Sequence, residues 1–386
     1  MIRVLVVDDS AFMRQAISSL LKSSGEIEVI GTARDGVEAI EKVSELNPDV
    51  VTLDVEMPRL DGLEALKKIM AENPRPVIML SSLTQVGAEA TIQALLAGAV
   101  DFVPKPSGAV SLDIEKVRED LLKKIRSASK ISRAQLLRIR RTGTPGLGRL
   151  GIEESRRTEA PVQQTGDQAA EKVIVGGKGT GGAEKDAFSA PVLSRAKPFR
   201  RVVVVGTSTG GPGALHEVIP RLPADLPAPV LVVQHMPVGF TRSLAERLNK
   251  LAAMPVKEAQ PGDRLSAGQV LVAPGGYHLE VNKEGTVNLT QSPPQHGVRP
   301  AVDVTLESAV AAYGASCLAV IMTGMGFDGT RGAALVKKAG GTVIAEHESS
   351  CVIYGMPRAV VESGLADQVV PLEEIPGAIV ANVVGA

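Results

Sequence analysis

The chain is expected to fold as two doubly wound parallel α/β sheets joined by a long linker. Residues 1–126 alternate short apolar, β-branched runs with amphipathic segments, the rhythm of successive βαβ units. Residues 200–384 resume that rhythm, and residues 127–199 between them lose hydrophobic periodicity. In the first module strands are expected at 2–7, 28–33, 50–53, 77–80 and 100–103, with helices near 11–22, 36–46, 61–71, 86–97 and 111–126. Strands of this kind, separated by helix-length connections, pair in parallel. In the linker, residues 130–141 suggest a short basic helix, and residues 143–190 are rich in Gly, Thr, Ala, Gln and charge. Gly176-Gly-Lys-Gly-Thr180 has a phosphate-loop look but lacks that motif's spacing and enters no apolar helix. The whole segment reads as a flexible connection. In the second module strands are expected near 202–205, 230–233, 270–273, 318–322 and 342–345. No internal repeat at a solenoid period is present.

Composition narrows the function. The 386 residues are 44% hydrophobic but only 2% aromatic, so the cores are aliphatic. A net charge of -1 gives bulk electrostatics no polyanion to attract, and nucleic acid is not expected as a partner. No apolar run reaches the ~18 residues that a membrane span needs. Arg3, Asp8 and Asp9 interrupt the first ten residues, which do not resemble a signal peptide. The two cysteines, Cys317 and Cys351, lie in apolar or β-like surroundings and are expected to be buried free thiols. A cytoplasmic monomer is expected.

The first module gathers acids at one sheet edge. Asp8 and Asp9 end its first strand, Asp54 its third, Ser81 its fourth, and Lys105 follows its fifth. In a parallel sheet these converge at the carboxyl edge, where open α/β folds place their sites. Three adjacent carboxylates repel and call for a counter-ion, and a set of oxygen donors suits Mg²⁺. A screened carboxylate beside a lysine can accept a phosphoryl group. The bland alternative has Asp8 and Asp9 capping helix 11–22. Val6-Val-Asp-Asp9, Leu53-Asp-Val-Glu-Met-Pro58 with Asp61-Gly62, Ser81, and Phe102-Val-Pro-Lys-Pro106 make this module resemble the two-component receiver domain. The resemblance implies a flavodoxin-like fold with Asp54 as phosphoacceptor. It implies Asp9, Asp54 and the backbone carbonyl of Glu56 around Mg²⁺, with Asp8 nearby. It also implies Ser81 and Phe102 as switch residues, and Lys105 as a phosphate contact.

In the second module, Val202-Val-Val-Val205 runs into Gly206-Thr-Ser-Thr-Gly-Gly211, and residues 212–219 read as the helix that follows. Ser208 thus sits on a tight strand-to-helix turn, the setting of an exposed nucleophile, though such a turn also serves as a phosphate loop or plain connection. A serine nucleophile needs a base and a group to orient it. His216 lies on the following helix, His278 and His296 in loops, and His347 between Glu346 and Glu348 in a stretch expected to be solvated. His235 differs, because it directly follows strand 230–233 and shares the carboxyl edge with Ser208. It remains open there between a base and a structural role. Asp328, in Met322-Thr-Gly-Met-Gly-Phe-Asp-Gly329, is either the orienter or the N-cap of the next helix. Backbone N–H groups around Met325 suit an oxyanion.

Gly206-Thr-Ser-Thr-Gly-Gly211, Val233-Gln-His-Met-Pro237, Leu271-Val-Ala-Pro-Gly275, Arg299-Pro-Ala-Val-Asp303, the 322–329 motif and Ser350-Cys-Val-Ile-Tyr-Gly-Met-Pro357 make this module resemble the chemotaxis protein-glutamate methylesterase family, which has a receiver in front. The resemblance implies a Rossmann-like catalytic layer over 200–384, with Ser208 as nucleophile, His235 as base and Asp328 as orienter. Met325 is implied near the oxyanion site, and Thr209 shapes the site. The implied substrates are γ-methyl glutamate esters, and also glutamines, of chemoreceptors; the implied phosphoryl donor is the pathway's histidine kinase. The ester chemistry needs no cofactor. The linker is longer than the family's pattern, and Phe327 stands where a smaller or polar residue is common. A DNA-binding regulator and a nucleotide-binding adaptor are the rival readings; the first lacks a helix-turn-helix and the second lacks G-x-G-x-x-G spacing.

Overall fold

The computed structural model describes residues 1–105, 113–133, 135–137 and 197–385. Its first sheet comprises β1 (Ile2–Val7), β2 (Ile27–Ala33), β3 (Val50–Asp54), β4 (Val77–Ser81) and β5 (Asp101–Pro104), in the order β2-β1-β3-β4-β5. All its pairings are parallel. Helices α1 (Ala11–Lys22), α2 (Gly36–Leu46), α3 (Gly62–Glu72), α4 (Gln85–Leu96) and α5 (Asp113–Ala128) make the connections. Their starts are chemically marked: Ser10, Asp35, Asp61 and Thr84 each accept a first-turn N–H of α1 to α4. Ser10, rather than Asp8 or Asp9, therefore caps α1, and Asp8 instead accepts the Ser10 N–H at 2.9 Å. The strand order reverses between β1 and β3, which opens a crevice at their carboxyl ends.

The second sheet has the order β14-β13-β12-β6-β7-β9-β8 and is parallel throughout. Its strands are β6 (Val202–Thr207), β7 (Val230–Gln234), β8 (Val256–Glu258), β9 (Val270–Val272), β12 (Cys317–Ile321), β13 (Thr342–Glu346) and β14 (Gln368–Val370). β10 (His278–Val281) and β11 (Val287–Thr290) form a separate antiparallel pair. Helices α6 (Gly211–Val218), α7 (Phe240–Asn249), α8 (Val302–Tyr313), α9 (Thr330–Lys338), α10 (Met356–Glu362) and α11 (Ile375–Val384) complete the module. Val202 to Val205 are wholly buried because helices cover both faces of the central strands, which is why that run does not alternate with polar residues. The strands missed from the sequence are the three-residue edges β8 and β14 and the hairpin β10–β11. The helix after the Ser208 turn starts at Gly211, and Ile219 begins a short 3₁₀ turn instead of ending it. His278, expected in a loop, lies in β10 and is fully buried; its Nδ1 accepts the Ala301 N–H.

Of the expected basic helix, residues 133 and 135–137 are helical; the rest of it, and the linker over 138–196, lies outside the described residues. No helix among the described residues is long and apolar enough to cross a membrane. Both sheets belong to one compact unit. Where they meet, α4 packs against α6 and α7, and Phe102 of β5 stacks on Phe240 of α7 with centroids 4.5 Å apart.

Gly211 shows how tightly the turn above β6 is built. A Cβ there would stand 1.9 Å from Gln234 Oε1 and 2.7 Å from Thr207 Oγ1, which hydrogen-bond each other across β6 and β7 at 2.6 Å. Gly211→Ala is expected to destabilise the chain by about 2 kcal/mol, since the buried amide must give up that bond or shift the turn. Urea unfolding measures this; an unchanged midpoint would show that the turn yields freely.

Candidate active site and acidic pocket

Three strand ends build the site in the second module. Ser208 follows β6, His235 follows β7, and Asp328 lies on the glycine-rich loop after β12. His235 Nε2 and Asp328 Oδ2 are 2.8 Å apart. Asp328 is 2% exposed, and every bond its carboxylate makes is local to this corner. Oδ2 also accepts the Val302 N–H at 2.6 Å, and Oδ1 accepts those of Asp303 at 3.0 Å and Gly329 at 2.9 Å. Val302 and Asp303 open α8, whose cap position, Ala301, has no side-chain hydrogen-bond acceptor. Asp328 therefore caps α8 from across the fold and not its own helix α9, as local sequence suggests by default. The favour is returned: Asp303 Oδ1 accepts the N–H groups of Gly329 and Gly332 at the start of α9. Burial pushes the Asp328 carboxyl up, but the hydrogen bond and charge of His235, together with the α8 N–H groups, outweigh it and hold it below the usual range.

The ring's other nitrogen, His235 Nδ1, and Ser208 Oγ have no hydrogen-bond partner among the described residues, and both residues line one cleft of about 340 Å³. Ser208 is placed by its backbone. Its N–H donates to the Thr323 carbonyl at 3.0 Å, and its carbonyl accepts Gln234 Nε2 at 2.9 Å. Gly210 at φ 79° and Gly324, where a Cβ would come within 2.8 Å of Ser208 Cβ, allow the turn to close. Met325 and Phe327 line the same cleft, with Phe327 58% exposed on its rim. Sequence reasoning gave no role to Gln234, although it lies within the Val233-Gln-His-Met-Pro237 motif. It also gave no role to His296, whose Nε2 lies 2.9 Å from Asp303 Oδ2 and 4.0 Å from Asp328 Oδ1. His216 is half-buried and His347 is exposed, both away from the cleft. Glu346, read as part of a solvated stretch, is fully buried. Cys317 and Cys351 are buried free thiols.

The first module also lines this cleft, through Asp101, Phe102 and Lys124. Thr209 Oγ1 donates a short hydrogen bond to Asp101 Oδ2, and Lys124 Nζ lies 3.4 Å from Asp101 Oδ1 and 5.4 Å above the Phe102 ring. At the other end of β5, Lys105 Nζ is 2.6 Å from Asp54 Oδ2 and 2.9 Å from Asp8 Oδ2. Burial, opposed by Lys105 and reinforced by Asp8, pushes the Asp54 carboxyl up to about 6. Carboxylate oxygens of Asp8, Asp9 and Asp54 lie within 4.8 Å of one another. Asp8 is fully buried, and its Oδ2 accepts no hydrogen bond beyond the approach of Lys105. Hard oxygen donors with spare lone pairs at one point fit Mg²⁺. The Glu56 N–H donates to Asp54 Oδ1 at 3.3 Å. Ser81 Oγ accepts from Thr91 Oγ1 at 2.7 Å and approaches the Gly87 carbonyl at 3.2 Å, so it is turned into the β4–α4 corner.

Comparison with known proteins finds two family matches: CheB methylesterase over residues 203–379 and response regulator receiver domain over residues 4–115. A protein-glutamate methylesterase/protein-glutamine glutaminase of Symbiobacterium thermophilum is 52% identical over 98% of this chain and 96% of its own. One of the same description from Pyrococcus abyssi is 44% identical over 99% of this chain and 94% of its own. The crystal structure of the Thermotoga maritima CheB methylesterase catalytic domain is 50% identical over 47% of this chain and 97% of its own, with a TM-score of 0.46.

The acidic pocket has a consequence for stability. Asp54 carries a folded-state pKa of about 6 against 3.8 for an ordinary aspartate, so it favours folding at low pH, and that contribution is lost as pH rises through about 6. Without divalent cation, Asp54→Asn is expected to melt higher than the wild type at pH 8, the gap closing below about pH 4. A gap that stays constant from acid to base in thermal melts would contradict this.

Proposed function

Because the chain belongs to the CheB methylesterase family and carries a response regulator receiver domain in front, we propose that residues 200–384 are its hydrolase domain, residues 1–126 its phosphoacceptor and residues 127–199 the connection. It hydrolyses γ-glutamyl methyl esters of chemoreceptors to glutamate and methanol, and deamidates receptor glutamines, in sensory adaptation. The observation that carries the residue assignment is the His235–Asp328 bond beside an unengaged serine on neighbouring strand ends.

Asp328 holds the proton of His235 on Nε2 and so leaves the Nδ1 lone pair outward. Nδ1 takes the Ser208 Oγ proton as Oγ attacks the ester carbonyl. The carbonyl oxygen then gathers negative charge, and backbone N–H groups of the Met325 loop stabilise it, with Thr209 shaping the wall. Collapse breaks the bond to the methoxy oxygen, which leaves as methanol with the proton from His235. Water, deprotonated by the same nitrogen, attacks the acyl-enzyme and restores Ser208. With an amide substrate, ammonia leaves in place of methanol.

Regulation runs through the receiver. Asp9, Asp54 and the Glu56 carbonyl would hold Mg²⁺, with Asp8 beside them, and the ion would neutralise charge on the phosphoryl group that Asp54 accepts from the pathway's histidine kinase. A phosphoryl group adds roughly −1.5 to −2 charge beside Lys105. From Lys105 back to Asp101, β5 spans roughly 13 Å at ~3.3 Å per residue. A shift at one end is therefore felt at the Asp101–Thr209 contact and at Phe102. Ser81 must leave Thr91 and Gly87 to reach the new group, which makes room for Phe102 to move. The receiver is proposed to cover the Ser208 cleft until this happens.

Methanol release from methylated receptor, with and without a small phosphoryl donor, tests both halves. Ser208→Ala is expected to lose at least about 10³ in rate, and wild-type release by that variant would sink the assignment. Asp54→Asn is expected to lose all stimulation by the donor. Asp101→Ala, which removes the acceptor for Thr209, is expected to raise the rate without donor severalfold; a basal rate equal to the wild type with normal stimulation would show that this contact does not restrain the site.

A further inference from the structure

Glu346 ends β13, is fully buried and forms no ion pair among the described residues. Burial pushes its carboxyl up to about 7, and the nearby Glu373 adds to that. A carboxylate held in such a place needs a reason. Its hydrogen bonds supply one. Oε2 accepts the Thr323 N–H at 2.8 Å and Oε1 accepts the Ser350 hydroxyl at 2.9 Å. Thr323 in turn touches the nucleophile turn twice, its carbonyl accepting the Ser208 N–H at 3.0 Å and its hydroxyl donating to the Thr209 carbonyl at 3.0 Å. The same hydroxyl accepts the Val352 and Ile353 N–H groups, each at 3.1 Å. Beyond Thr323 the chain passes directly over Ser208 at Gly324 and continues into the Met325 loop.

We propose that Glu346 is a positioning residue for the esterase reaction: its carboxyl oxygen anchors Thr323, and Thr323 sets both the Ser208 turn and the start of the Met325 loop. Glu346 itself touches no reacting atom. What it supplies is a hydrogen-bond acceptor at the end of a rigid strand, so that nucleophile and oxyanion donors are held in one frame. Glutamine, with an acceptor at the same reach, can do the same work, whereas an apolar side chain leaves the Thr323 N–H buried and unpaired.

The inference rests on Ser208 being the nucleophile, and the test separates the two. In the full-length chain, Glu346→Ala is expected to lower kcat for methanol release by about 10²-fold, with KM within about twofold. Glu346→Gln is expected to stay within about threefold of wild type in both. The rate at which a fluorophosphonate labels Ser208 is expected to fall in parallel with kcat, while phosphorylation of Asp54 by a small donor reports an intact receiver. Should the alanine variant fail to fold, Glu346→Leu refills the volume without the acceptor and takes its place. Wild-type kcat in the alanine or leucine variant overturns the proposal, as does a glutamine variant no better than alanine. Ser208→Ala run alongside decides the other point: a wild-type rate there overturns the nucleophile, whatever the Glu346 variants do.

Discussion

The corner built around Asp328 is the constraint on which the rest of the catalytic module depends. Its carboxylate is buried with four close partners: one imidazole nitrogen and three backbone N–H groups. Two of those N–H groups, of Val302 and Asp303, carry the positive end of the α8 dipole, so the charge is compensated without a lysine or arginine. The exchange with Asp303, which holds the start of α9, ties two helices and the loop after β12 into one unit. His235 is therefore oriented by a group that cannot turn away. A surface carboxylate would pair with water instead, and the imidazole would lose its fixed tautomer.

The strand β5 serves both modules. Its last residues lead to Lys105 at the acidic pocket, its first residue accepts from Thr209 beside Ser208, and Phe102 between them packs on Phe240. β5 is the edge strand of its sheet and pairs with β4 alone, over Asp101 to Pro104. This one short strand thus has the acidic pocket at one end and the contact with Thr209 at the other.

Much of this was legible beforehand, and for identifiable reasons. Unbroken runs such as Val202 to Val205 mark strands buried on both faces, and in a parallel sheet every residue just past such a run lies at one edge. That rule alone brought Asp8, Asp54 and Lys105 together, and Ser208 with His235. It failed where length or context misled. β8 and β14 have three residues each, too few to show a period. His278 follows two glycines and reads as loop, although strand pairing with β11 buries it. Glu346 sits in a polar stretch, and only the crossing of the Thr323 loop shows that its side chain is enclosed.

What the sequence determined by itself was the order of the elements and the chemistry placed at their ends, since both depend on local pattern: β-branched runs, caps and glycine turns. What only the tertiary structure decided was which of those groups meet. Asp328 caps a helix 26 positions earlier in its chain instead of its own, at the Val302 N–H. His235 offers Nε2 and not Nδ1 to it, and Thr209 reaches across 108 positions to Asp101. Hydrogen bonds of this kind are selected by burial, because a polar group closed off from water takes whichever partner the packing brings to it. That choice is made by the whole fold, and no local stretch of the chain encodes it.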